Sequence, residues 1–156
     1  MKNLPVDNDP WSWDYKKFSF NSTLYDQICF CLSAGILAPS THNCQPWLFE
    51  MGDASCFIFL NSEIELPEAD PKGYYAYASI GACFENLITA ARYFGIYKSH
   101  RYTKRKNHLG IEVFFKENTQ KNIFKKYEPL VVAITKRNNA RGLFTQQKIS
   151  SEILND

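Results

Sequence analysis

The stretch Pro39-Ser40-Thr41-His42-Asn43-Cys44-Gln45-Pro46-Trp47 sets two hydroxyls, an imidazole, a thiol and two amides between two prolines. Such a loop offers donors and acceptors to a planar polar ligand, and the prolines lower the entropy lost in holding it still. The same residues also suit a helix-to-strand connection whose Asn and Gln satisfy backbone groups, so composition leaves both readings open. Cys44 beside His42 suggests a nucleophilic thiol, but no spacing supplies a further triad partner.

A second chemical stretch is Lys136-Arg137-Asn138-Asn139-Ala140-Arg141. Arg137 and Arg141 stand four apart, so on a helix or tight turn both guanidinium groups can reach one phosphate, with Asn139 adding an amide donor. The alternative is a solvated basic helix end, favourable to the macrodipole. A third stretch, 98–108 (KSHRYTKRKNH), carries five Lys or Arg in eleven residues around Tyr102. Basic and aromatic residues together can track a phosphate backbone. A solvated connection between a helix and a strand is the plainer expectation. There is no glycine-rich phosphate loop and no G-x-S-x-G.

The elements that must position these residues follow from periodicity and breakers. A helix is expected over 22–37, with Thr23 and Asp26 as a capping-box-like start and Leu24, Ile28, Cys31, Leu32 and Gly35 on one face. It must stop by Ala38, because Pro39 disfavours helical geometry in the residue before it. Strands are expected at 47–51 and 55–60, joined by Gly52-Asp53-Ala54. Residues 61–78 read as a loop. A helix over 79–94 follows, with Ile80, Cys83, Phe84, Leu87, Ile88, Ala91 and Phe94 at helical spacing and Gly95 as its C′ residue. A strand is expected at 111–116 and a short helix at 120–127. Residues 130–134 (LVVAI) are strand-like in β-branching yet run without a breaker into polar residues, so local propensity does not decide them. A last amphipathic helix is expected from 150 onward.

Residues 1–21 read as an aromatic N-terminal arm, with Trp11, Trp13, Tyr15, Phe18 and Phe20 lying on a neighbouring surface; residues 22–156 read as one domain. The chain has 156 residues, 18 Lys+Arg against 16 Asp+Glu, and a formal charge of +2. That length suits one core, and the balance gives no global reason to expect nucleic acid or membrane as partner. The first twenty residues lack the apolar stretch of a secretory signal, and no apolar window is long enough to span a bilayer. Five cysteines, odd in number and without C-x-x-C spacing, read as reduced, mostly buried thiols in a cytoplasmic protein. Three scattered His give no zinc ligand pair, so no metal is expected. The apolar helix faces and the aromatic arm suggest surface that needs a partner.

Taken together, these residues resemble the nitroreductase (FMN-dependent oxidoreductase) superfamily. Ala38-Pro39-Ser40-Thr41-His42-Asn43-Cys44-Gln45-Pro46-Trp47-Leu48-Phe49 is similar to that family's Pro-Ser-Ser-x-Asn-x-Gln-Pro-Trp-x-Phe loop. Gly81-Ala82, Glu85-Asn86-Leu87, Ala90-Ala91 and Gly95-Ile96 resemble the family's central helix. Arg137-Asn138-Asn139-Ala140-Arg141 resembles the basic FMN-phosphate motif Arg-Arg-Ser/Thr-x-Arg, with Asn139 where Ser or Thr is usual. In ordinary single-domain members the basic motif precedes the Pro-Ser loop; here it follows by about ninety residues. That order resembles the tandem two-copy members, in which a mid-chain basic motif opens the second copy. The resemblance thus covers the family's first half, with a second copy starting from about residue 129.

The resemblance implies an α+β fold, helices packed on a small, mainly antiparallel and incomplete sheet. It implies helix over 130–136. It assigns the flavin ring or its ribityl surroundings to Pro39, Ser40, Thr41 and Asn43, and the FMN phosphate to Arg137, Asn139 and Arg141. Gln45 and Trp47 become scaffold, an amide satisfying the loop and an indole anchoring the strand. The implied activity is FMN-dependent transfer of electrons from NAD(P)H to a nitro, quinone or similar small-molecule acceptor, with no obligatory acid or base on the protein. The implied assembly is a homodimer, or a second chain supplying the missing half. The competing expectation is a non-catalytic half-module that binds flavin or dimerises; a nucleic-acid binder working through 98–108 is a third.

Overall fold

Thr23 opens the first helix. Its hydroxyl accepts from the Asp26 backbone N–H at 3.2 Å and donates to the Asp26 carboxylate at 2.7 Å, so an orphan donor of the first turn is satisfied and an acid faces the positive end of the dipole. A computed structural model describes residues 12–64, 66–139 and 142. In it this helix is α1, Leu24–Gly35. The expected apolar face is buried at Ile28, Cys31, Leu32 and Gly35, with Leu24 packed half-buried against it.

Strands β1 (Trp47–Met51) and β2 (Ser55–Leu60) form over the residues expected for them, on either side of Gly52-Asp53-Ala54. Helix α2 runs Tyr74–Tyr93, five residues longer at its start than the apolar spacing implies. The reason lies at its entry: Gly73 takes a left-handed conformation there, and the Asp70 carboxylate accepts from the Ala76 N–H at 2.8 Å. Tyr74, Tyr75 and Tyr77 are exposed, so the first turns carry no apolar stripe that could reveal them. At the other end Gly95 has φ +71, a conformation that only glycine adopts freely, as its C′ position requires.

The expected connection over 98–108 is not a connection. It is strand β3, Tyr97–Arg105, followed by the two-residue turn Lys106-Asn107 and then β4, His108–Phe115, which starts three residues earlier than expected. The strand sits at the sheet edge with charged residues on both faces, so the period-2 signal is masked. Residues 120–127 hold only a 3₁₀ turn, Lys125–Tyr127, and 130–134 lies inside helix α3, Glu128–Lys136, with Pro129 in its first turn. Trp11, Arg141 and the helix expected from 150 lie outside the described residues.

The described chain is therefore α+β: three α-helices and a four-stranded, wholly antiparallel sheet in the order β1-β2-β4-β3. Cys56, Ile58, Ile111, Val113 and Phe115 join Cys83, Leu87, Ile88 and Ala91 of α2 and Leu32 of α1 in one core. The N-terminal aromatics extend it: Phe18 stacks on Phe94 at 3.7 Å, and the Trp13 indole donates to the Phe30 carbonyl at 3.1 Å.

Alternation sends Phe57, Phe59 and Glu112 to the other sheet face, where, among the described residues, Arg105 and His108 pack on the two phenyl rings. Phe57 and Phe59 stack at 5.3 Å, and the Arg105 guanidinium lies 5.0 Å over Phe57. Gly110 makes this possible, because a Cβ there would stand 2.8 Å from the Phe57 ring and 2.3 Å from the Ile58 carbonyl oxygen. Glu112, 4% exposed in its side chain, accepts from Arg101 at 2.6 Å and also pairs with Arg105, which reaches Glu50 at 3.7 Å.

Candidate functional site

Between α1 and β1 run eleven residues, and prolines at both ends of the last eight, Pro39 and Pro46, restrict their course. Thr41–Asn43 forms a 3₁₀ turn. His42, Asn43 and Gln45 adopt φ of 51, 57 and 49, left-handed values that cost a side-chain-bearing residue about 1 kcal/mol or more each. The loop is held by its own bonds. Asn43 N–H donates to Ser40 O and Cys44 N–H to Thr41 O, both at 3.0 Å, and Gln45 N–H donates to Ser40 Oγ at 2.9 Å. Ser40 thus positions the loop while its hydroxyl hydrogen remains a donor. The bond at Gln45 runs through its backbone, not through the side-chain amide expected to satisfy the loop. Trp47 anchors the exit, 7% exposed in the core, and the buried Pro46 accepts from Asn61 N–H at 2.8 Å.

The loop entry is fixed from two other helices. Asn86 of α2 donates its amide to the Ala34 carbonyl at 3.3 Å. Arg137, which ends α3 in extended conformation, donates from Nη2 to the Leu37 carbonyl at 3.4 Å and from Nη1 to Asn139 Oδ1 at 3.2 Å. A guanidinium at these carbonyls also meets the negative end of the α1 dipole. Leu37 is two residues before Pro39, so the fold brings the basic segment to the mouth of the loop although about ninety residues separate them in sequence.

Beside the loop lies a cavity of about 330 Å³, walled by Thr41 and Cys44, by Leu60 at the end of β2, and by Asp70, Ala76 and Tyr77 around the start of α2. That volume falls at the lower end of small-molecule pockets. Of the residues singled out in the sequence, Thr41 lines this cavity, Ser40 and Arg137 shape the loop next to it, and Pro39, Asn43 and Asn139 are at the surface. Arg137 and Asn139 do not line it. Asp70 and Tyr77 escaped the sequence reading. The usable signal was Asp70 placed before Gly73, an acid and a glycine at a helix entry.

Thiol environments divide sharply. Burial pushes the Cys31 and Cys83 thiols far up and Cys56 up to about 12, while Cys29 is raised by burial and helped down by Tyr25. All five cysteines are free, and Cys44 alone is not buried, so the accessible thiol is the one in the loop. Among the described residues no group of three or more His, Cys, Asp or Glu can hold a metal ion, and no helix is long and apolar enough to cross a membrane. No protein-family model matches the chain, and no curated protein shows significant similarity to it.

Proposed function

We propose that this chain is an FMN-binding oxidoreductase module of nitroreductase type, passing electrons from NAD(P)H to a nitro, quinone or similar acceptor. The observation that carries the reading is the Arg137 guanidinium at the Leu37 carbonyl, which unites the basic segment with the Pro-Ser loop in one place. The donor set fits the cofactor. Ser40 and Thr41 offer hydroxyls to a polar ring edge or ribityl chain. Arg137 brings a guanidinium charge to the loop entry for phosphate, and Asn139, whose carbonyl oxygen accepts from Arg137, retains its amide N–H groups as further donors. Bound FMN supplies the two-electron chemistry itself, which requires no acid or base from the protein.

What the chain's own residues do is hold and orient. Three left-handed residues and two prolines keep the loop in one shape, so little ordering entropy remains to be lost on binding. Thr41 and Cys44 present the loop to the cavity, whose Leu60, Ala76 and Tyr77 walls suit a flat apolar acceptor. Four buried free thiols support a reducing, cytoplasmic setting. The exposed Tyr74, Tyr75, Tyr77 and Leu130 support association with a second copy or a second chain.

The test is colour. The chain is purified with added FMN, desalted, and its visible spectrum recorded beside those of Arg137→Gln and Ser40→Ala. The parent is expected to retain flavin and to oxidise NAD(P)H when given a quinone. Arg137→Gln is expected to lose most of the flavin, since a charge-assisted hydrogen bond to phosphate is worth about tenfold or more in affinity. A colourless parent overturns the proposal. Flavin retention without NAD(P)H oxidation selects the non-catalytic half-module instead.

A further inference from the structure

At the far end of α2 from the loop, where the helix hands over to β3, a cleft of about 150 Å³ is lined by Arg92, Tyr97, Lys116, Phe124, Lys126 and Tyr127, with Gly95 at its floor. None of these residues is acidic. Three cations converge on three rings, and two of the cations are already positioned by those rings. The Arg92 guanidinium carbon lies 4.9 Å from the centre of the Tyr97 ring, and Lys126 Nζ lies 5.0 Å from that of Tyr127. A surface lysine or arginine ordinarily loses side-chain freedom when it grips a ligand; one laid on an aromatic face has lost part of it beforehand.

The carboxylates nearest in sequence are engaged elsewhere or set aside. Glu128, next to Tyr127, accepts from the Tyr15 and Tyr93 hydroxyls at 3.5 and 3.4 Å. Glu117 does not line the cleft. Glu85 stands 3.9 Å from Arg92 Nη1 and is 60% exposed, a weak pair that an incoming anion replaces readily. The rings are held as well. Tyr97 Oη is 2.7 Å from His100 Nδ1, and the Phe124 N–H donates to the Tyr93 carbonyl at 2.7 Å while the residue stays 48% exposed.

We infer that this cleft is a second small-molecule site, one that takes a phosphoryl group carried on a planar ring. The volume accommodates the phosphoryl group, three cations match its charge of about −1.5 to −2, and the exposed Phe124 takes the ring by stacking. The inference stands apart from the flavin reading, because neither Arg137 nor any residue of the 39–46 loop lines the cleft.

The experiment titrates the full chain with phenyl phosphate and, separately, with inorganic phosphate at low ionic strength, following backbone amide NMR shifts and binding heat. Phenyl phosphate is expected to saturate, to shift the amides around Arg92, Lys116 and Lys126, and to bind several-fold tighter than phosphate alone. Lys116→Gln and Lys126→Gln should each weaken it about tenfold. Both lysines are exposed, so an unchanged melting curve confirms that the variants fold. Absence of saturation, shifts confined to other surfaces, or parent-like binding by both variants overturns the site. Equal affinity for the two probes overturns the part assigned to the rings. FMN retention in the two lysine variants is expected to equal that of the parent; its loss there would overturn the assignment of the cleft as a second site.

Discussion

The sheet and the 39–46 loop use the same reactive residue types and leave them in opposite states. Arg101 and Arg105 on β3 are tied to a carboxylate that is 4% exposed; Arg137 reaches the loop entry, where it donates to the Leu37 carbonyl and to Asn139 Oδ1. Cys56 on β2 is sealed, and Cys44 in the loop is not. The sheet departs from regular backbone at the Tyr97–Ser99 register shift and at Lys106 in the β3–β4 turn, while the short loop alone carries three left-handed residues. Residue type therefore does not decide which thiol is reachable. Environment does, by removing or preserving contact with solvent.

The largest expected effect tests the sheet side of that contrast. In the Arg–Glu network the exposures are unequal: Arg101 and Arg105 keep 63% and 41% of their side-chain surface, Glu112 only 4%. Removing both arginines (Arg101→Met with Arg105→Met) strands a buried carboxylate and should cost about 3–5 kcal/mol in urea unfolding. Removing the acid (Glu112→Gln) leaves two arginines that can turn to water and should cost about 1–2 kcal/mol. If Glu112→Gln proves the costlier change, the sheet does not sequester its charges in the way the burial implies.

How much of this was legible beforehand follows from the same contrast. The helix α1, strand β1 and the buried face of α2 were readable because one face of each is apolar and the other is not, and β2 because its short apolar run follows a turn at Gly52-Asp53-Ala54. Strand β3 was not, since Arg101 and Arg105 reach across to an acid eleven and seven residues away, and a charge partnered over a hairpin looks in sequence like a solvated one. The loop was recognisable from its prolines and polar residues. Its meeting with Arg137 was not derivable from spacing, because it depends on α3 packing Val131 and Ile134 into the core. The cleft at Tyr97 and Lys116 draws on four separate segments, and nothing local marks it.

A second, smaller effect concerns the sealed thiols. Burial raises Cys56 from an ordinary value of 9.0 to about 12. A raised folded-state pKa means that the neutral form is favoured on folding. Its contribution is thus fully present below pH 9, where the unfolded thiol also holds its proton, and is lost as pH rises from about 9 towards 12. Stability should fall above pH 9 by about 1.4 kcal/mol per pH unit for each such thiol. Urea titrations at pH 8 and pH 10 measure the slope, and Cys56→Ala, whatever its packing cost, should make it shallower. An unchanged slope in that variant would mean the thiol is not sealed.

The smallest effect lies on the loop side and is the sharper for it. Cys44 is partly exposed at the edge of the cavity, and its thiol holds no part of the backbone bonding, which runs through its N–H to Thr41. Cys44→Ser should therefore change stability by less than about 0.5 kcal/mol, the usual range for surface substitutions. The reactivity should change completely. With a disulfide-exchange reagent in native buffer, the parent is expected to release one equivalent rapidly and four only on unfolding, because the thiolate must be reachable to attack. In Cys44→Ser the rapid phase should vanish. A rapid phase that survives would place a second reactive thiol outside the loop, and the division between a sheet that silences its side chains and a loop that presents them would fail at its simplest point.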